Sequence, residues 1–154
     1  MEYLVVKWLH VISATLIFGT GLGSAFYMFM ANRVGSVPAI ATVARLVVIA
    51  DWLFTTPAII VQPLTGIYLA QLAAVPLSAS WIVGTIALYL LAGACWLPVV
   101  WLQIRMRDLA RAAQANGEPL PRLYWRYERW WVALGVPAFT AMLAAFYLMV
   151  AKPL

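Results

Sequence analysis

Charge is what this sequence has least of. Lys, Arg, Asp and Glu together make 10% of its 154 residues, against roughly 25% in an ordinary soluble domain. Five side chains are acidic, one residue is histidine and one is cysteine. The lone Cys95 excludes an intrachain disulfide framework and is expected as a small buried apolar residue. The lone His10 cannot build an ordinary zinc site. No Ser/His/Asp set, CxxC pair, HExxH, Walker loop or dinucleotide fingerprint is present either, so none of the chemistry those motifs carry is written here.

Hydrophobic residues fill the space that charge leaves, at 66% of the chain with a mean hydropathy of +0.92. Four apolar stretches, about 3–30, 39–70, 81–104 and 130–150, approach or exceed the roughly 20 residues needed to cross a hydrocarbon core. The expectation is a single all-α domain over 1–154, an integral membrane antiparallel four-helix bundle with helices about 3–32, 38–70, 81–115 and 121–151. No A-x-A cleavage pattern precedes Phe26, so the first segment is expected to stay.

The net charge of +5 reports topology and not nucleic acid. Arg33 and Arg45 flank the first connection, and Arg105, Arg107, Arg111, Arg122, Arg126 and Arg129 crowd the third. The connection at 71–80 has no Lys or Arg. By the positive-inside rule the arginine-bearing loops face the cytoplasm and both termini lie outside. The arginines can meet anionic headgroups or a partner, or simply set topology. Tyr124, Trp125, Tyr127, Trp130 and Trp131 read as an interfacial aromatic belt among those cations.

An ionisable group inside a membrane-length apolar run is costly and is read first as a functional site. There are two. His10 shares a helix face with Ser13, Ala14, Ile17, Gly21, Ser24 and Met28, a small-residue face suited either to close helix packing or to a flat cofactor. Asp51 shares the second segment with Pro57 and Pro63, which remove backbone donors and free carbonyls that neighbours must satisfy. Asp51, Thr55, Ala58, Gln62 and Thr65 fall on one face and form an inward polar stripe. Asp51 lies ~20 Å along the helix from Pro38, as either a structural hydrogen-bonding group or a proton-handling, ligand-contacting one.

One neutral imidazole suffices for five-coordinate haem iron, and methionine can complete a sixth position. Antiparallel counting puts Gln62, Thr85 to Tyr89 and Met149 near the level of His10. The expected cofactor is therefore haem b, with His10 as axial ligand, Met149 as candidate second ligand, Lys7 placed for a propionate, and Ser13, Gly21 and Gln62 alongside. Asp51, about 11 residues or ~17 Å from that level, belongs to a separate buried polar site with Thr55 and Thr65.

Through Lys7-x-x-His10, Asp51-Trp52-x-Phe54-x-x-Pro57-Ala58, Gln62-Pro63-Leu64-Thr65-Gly66, Trp96-x-Pro98-x-x-Trp101-x-Gln103 and Lys152-Pro153, the chain resembles a family of small four-helix bacterial integral membrane proteins of unassigned function. More distantly it looks like the membrane-bound haem-containing protoporphyrinogen oxidases and the copper-resistance membrane proteins. The oxidase likeness rests on Lys7-Trp8-Leu9-His10, Thr56-Pro57-Ala58 with Gly66, Trp81, and Pro137 with Lys152-Pro153. It implies a haem-binding, activity-critical role for His10. Trp96, Phe26 and Ala31 stand where those oxidases carry further histidines and an arginine, so His10 is at most one axial ligand within its subunit.

Three functions remain in view. One is electron transfer or porphyrin oxidation with haem at His10, with a redox partner and, in a homodimer, a second axial ligand from the other subunit. Another is a transporter-like or accessory subunit that handles protons, a metal ion or a small solute at the Asp51 stripe. The third is an assembly factor that works through its basic cytoplasmic helix.

Overall fold

The computed structural model describes residues 1–152. Among these the chain is helical almost throughout: α1 (Glu2–Val34), α2 (Val37–Ala50), a five-residue π turn (Asp51–Thr55), α3 (Thr56–Leu72), α4 (Ser80–Asn116) and α5 (Arg122–Ala151). The turn joins α2 and α3 into one continuous rod, so four rods result, each long and apolar enough to cross a membrane. The sequence motif ending in Pro153 reaches past the described residues.

Glycine ends two of the rods where the sequence signals a stop. Gly35 (φ 74°) closes α1 and Gly117 (φ 66°) closes α4. Both lie in the left-handed region, where a residue without Cβ is unstrained. Ser36 precedes α2, with Pro38 in the first turn, and its side chain makes no capping hydrogen bond.

The π turn has a local cause. Pro57 has no N–H, so the carbonyls before it lose their usual partner. The chain widens there, and Thr56 N–H bonds the Asp51 carbonyl five residues back. Wide turns of this kind gather at functional positions, and this one carries the buried Asp51 and Thr55.

The rods pack as two hairpin-like pairs, α1 with α3 and α4 with α5, joined by α2 against α4 and α1. The dry core lies in the arginine-rich half, where Met28, Ile40, Met106 and Tyr124 are fully enclosed and Ala44, Val47, Leu102 and Trp131 surround them. Small residues at these contacts let the backbones close up, and contact of this kind, not water exclusion, holds helices together in lipid. Tyr124 and Trp131 were expected in an interfacial belt. They are core residues instead: Tyr124 OH donates to Asn32 Oδ1 at 2.7 Å, an inward partner that a headgroup-facing tyrosine would lack. Trp125 and Trp130 keep the exposed positions. Cys95, expected buried, is only half-buried on α4.

The backbones of α1 and α5 approach each other at few points. They meet through Phe18, which stacks on Phe139 (centroids 4.7 Å apart) and leans on Phe146 (5.5 Å). Large apolar side chains such as Leu22, Phe26, Leu90, Val136 and Tyr147 cover the outside, as lipid-facing rods require.

Candidate functional site

The polar stripe of the second segment faces inward, and the structure divides it between two sites. Near the termini, His10 reaches across from α1 to α3. Gln62 Nε2 donates to His10 Nε2 at 3.1 Å, and His10 Nδ1 donates to Thr65 Oγ1 at 2.8 Å. This assignment is self-consistent. The Thr65 hydroxyl gives its own proton to the Val61 carbonyl at 2.8 Å, which leaves its oxygen free to accept, and the amide nitrogen of Gln62 can only donate. Ser13 Oγ, also on α1, donates to Gln62 Oε1. Gly66 permits the approach, since a Cβ there would lie 3.1 Å from His10 Cε1.

The run Gln62-Pro63-Leu64-Thr65-Gly66 is thus a receptor for one imidazole, with two partners one turn apart and a gap beside them. Both ring nitrogens are engaged, so as arranged His10 offers no free coordinating atom. Iron at Nε2 would have to displace the Gln62 amide. Met149 is half-buried on α5 and takes no part in this network, and Lys7 is exposed with Nζ 5.9 Å from the Tyr3 ring centroid. Thr65, expected beside Asp51, bonds His10 instead, because fourteen residues of one rod, ~21 Å at the helical rise, separate it from Asp51.

The second site is a cavity of about 420 Å³ between the rods. From α1 it is lined by Ile17, Phe18, Gly21 and Ser24, and from the second rod by Asp51, Thr55 and Ile59. Tyr89, Gly93, Trp96 and Gln103 of α4 and Trp131, Gly135 and Phe139 of α5 complete the wall. His10, Ser13, Gln62 and Thr65 do not line it. Gly21, expected beside a His10 cofactor, therefore serves this cavity. The small-residue face of α1 does look inward, but the space it leaves lies next to Asp51.

Asp51 is 4% exposed. Thr55 Oγ1 donates to its Oδ1 at 2.9 Å, and Gln103 lies beside it. Its Oδ2 and Gln103 Oε1 are buried without a hydrogen-bond partner. No Lys, Arg or His lines the cavity, and Arg107 pairs instead with Asp108 at 2.8 Å. An unpaired buried acceptor costs ~1–3 kcal/mol, so two of them on neighbouring residues that line one cavity mark a place where a further group is wanted.

In the sequence Gln103 only closes the motif Trp96-x-Pro98-x-x-Trp101-x-Gln103, far from Asp51. Counting would have joined them: Asp51 is 14 residues from the start of α2 and Gln103 is 13 from the end of α4, at the same end of antiparallel rods. Tyr89, near the expected level of His10, instead donates to the Ile59 carbonyl at 2.5 Å.

Among the described residues no three His, Cys, Asp or Glu side chains gather as a metal site would require. No curated protein and no solved structure matches the chain, so the likeness to haem oxidases and copper-resistance proteins finds no counterpart there. A family model described as predicted integral membrane protein (DUF2269) matches residues 4–153. With four membrane-length rods and a match over nearly the whole chain, the protein belongs to this family of integral membrane proteins.

Proposed function

We propose that the protein is a membrane-embedded binding protein for a small, largely apolar molecule, seated in the interhelical cavity with its polar group at Asp51. It sits in a bacterial inner membrane with the arginine-rich end in the cytoplasm, as the charge distribution favours. One observation carries the reading: Asp51, 4% exposed, lines a cavity of about 420 Å³ and keeps one buried oxygen, Oδ2, without a partner. Ligand sites are concave and mostly apolar with a few convergent polar groups, and this cavity has that composition. An intramembrane carboxyl is retained where it meets a substrate, an ion or a proton. This is the second of the three functions drawn from the sequence, narrowed to a binding site.

The test is photolabelling in lipid nanodiscs with a diazirine-bearing octanol. Adducts are expected on residues of the cavity wall such as Asp51, Tyr89 and Trp96. Gly93→Leu should suppress them: nothing lies within 4 Å of a Cβ at Gly93, so the leucine side chain enters the cavity without displacing a helix. Labelling spread evenly over lipid-facing residues, or unchanged in Gly93→Leu, would overturn the reading.

A further inference from the structure

The hydrogen bonds of the cavity wall identify the kind of polar group that is missing. Four hydroxyls line the space, and each already gives its proton away inside the protein. Tyr89 donates to Ile59 O, Thr55 to Asp51 Oδ1, Ser24 to Gly21 O at 3.3 Å and Thr140 to Val136 O at 2.9 Å. Asp51 and Gln103 also line the space, and each keeps a buried acceptor oxygen without a partner, Asp51 Oδ2 and Gln103 Oε1. A carboxylate so placed has no counter-ion in the wall, so its charge is costly in these low-dielectric surroundings unless a cation enters or a proton neutralises it. The rings of Phe29, Tyr89, Trp96 and Trp131 line the same space. Aromatic faces attract cations, most strongly where water is absent.

We propose that the ligand is a lipophilic organic cation, an ammonium on an apolar body, whose charged centre pairs with Asp51 and donates to Asp51 Oδ2 and Gln103 Oε1 while its body rests against the aromatic wall. This rests on the binding reading above and narrows it to a ligand class. The ligand reaches the site from the bilayer between α1 and α5. Leu22 and Val136 both line the cavity and are 49% and 61% exposed on the outer surface, so the cavity is open to lipid there.

The experiment uses a matched pair of probes, 4-biphenylmethylammonium and the uncharged 4-biphenylmethanol, binding to the full-length protein in nanodiscs. The ammonium is expected to bind at least tenfold more tightly, which corresponds to about 1.4 kcal/mol. Asp51→Asn should erase that preference. Gln103→Leu, a second variant that keeps the carboxyl, should weaken the ammonium several-fold. Equal affinity for the two probes, or a preference that survives Asp51→Asn, would overturn the cation assignment and leave the cavity reading standing. Failure of both probes to bind, with no difference between the native protein and Gly93→Leu, would overturn both.

Discussion

The Tyr89 hydroxyl donates to the Ile59 carbonyl at 2.5 Å, and that carbonyl is free because Pro63, four residues further on, has no N–H to give it. Proline in one rod is thereby matched by tyrosine in another, which ties α3 to α4 where their backbones barely approach. Water cannot satisfy such a carbonyl in the hydrocarbon region, so a neighbouring side chain must.

Removing the hydroxyl should therefore cost more than a surface substitution. Tyr89→Phe is expected to lower unfolding stability in mixed micelles by about 1–3 kcal/mol, the cost of an orphaned buried acceptor. In a Pro63→Ala background the new alanine can supply the missing N–H, and most of the penalty should vanish. Equal penalties in the two backgrounds would show that Tyr89 does not serve the proline-freed carbonyl.

His10 and Gly66 should be coupled with a change of sign. Gly66→Ala brings a Cβ to 3.1 Å from His10 Cε1, and crowding of this kind costs ~1–3 kcal/mol. In a His10→Ala background the obstruction is gone. The better helix former should then stabilise by up to about 1 kcal/mol. Thermal unfolding of the four variants measures the cycle.

Because both nitrogens of His10 are held by α3, the imidazole is expected to pin α1 and not to ligate iron. After expression with ample haem, the native protein and His10→Ala should give the same Soret absorption. A band that disappears with His10 would mean that Gln62 yields its place to iron.

Asp51 is expected to be dispensable for folding. Asn in its place keeps an oxygen for Thr55 and removes the ionisable group that makes burial costly. Asp51→Asn should unfold at or above the temperature of the native protein, within about 1 kcal/mol, which is the pattern of a residue kept for function at some expense of stability. A loss of several kcal/mol would assign Asp51 to structure.

How far the sequence could be read depended on how local the cause was. The rods follow from four apolar runs, their ends from Gly35 and Gly117, and the need to rescue carbonyls in the second segment from Pro57 and Pro63. The inward face of α1 was legible from the spacing of Ser13, Ile17, Gly21 and Met28, and the polar stripe from Asp51, Thr55 and Gln62. The partner of each residue was not. Periodicity places a side chain on a face but does not say which neighbouring rod it meets or whether the space between is filled. Gln62 and Thr65 were legible as polar, but not as the two arms around one imidazole.

The sequence by itself determined that this is a four-helix membrane protein with two intramembrane ionisable residues, because hydrocarbon tolerates only helices that satisfy their own backbone and makes every charge conspicuous. Only the tertiary structure decided what each of the two meets. It seats His10 between Gln62 and Thr65, and it sets Asp51, with one oxygen unpartnered, among the residues that line a cavity. The separation of α1 from α5 that opens this space is set by side-chain packing between distant segments, with no local signature in the chain.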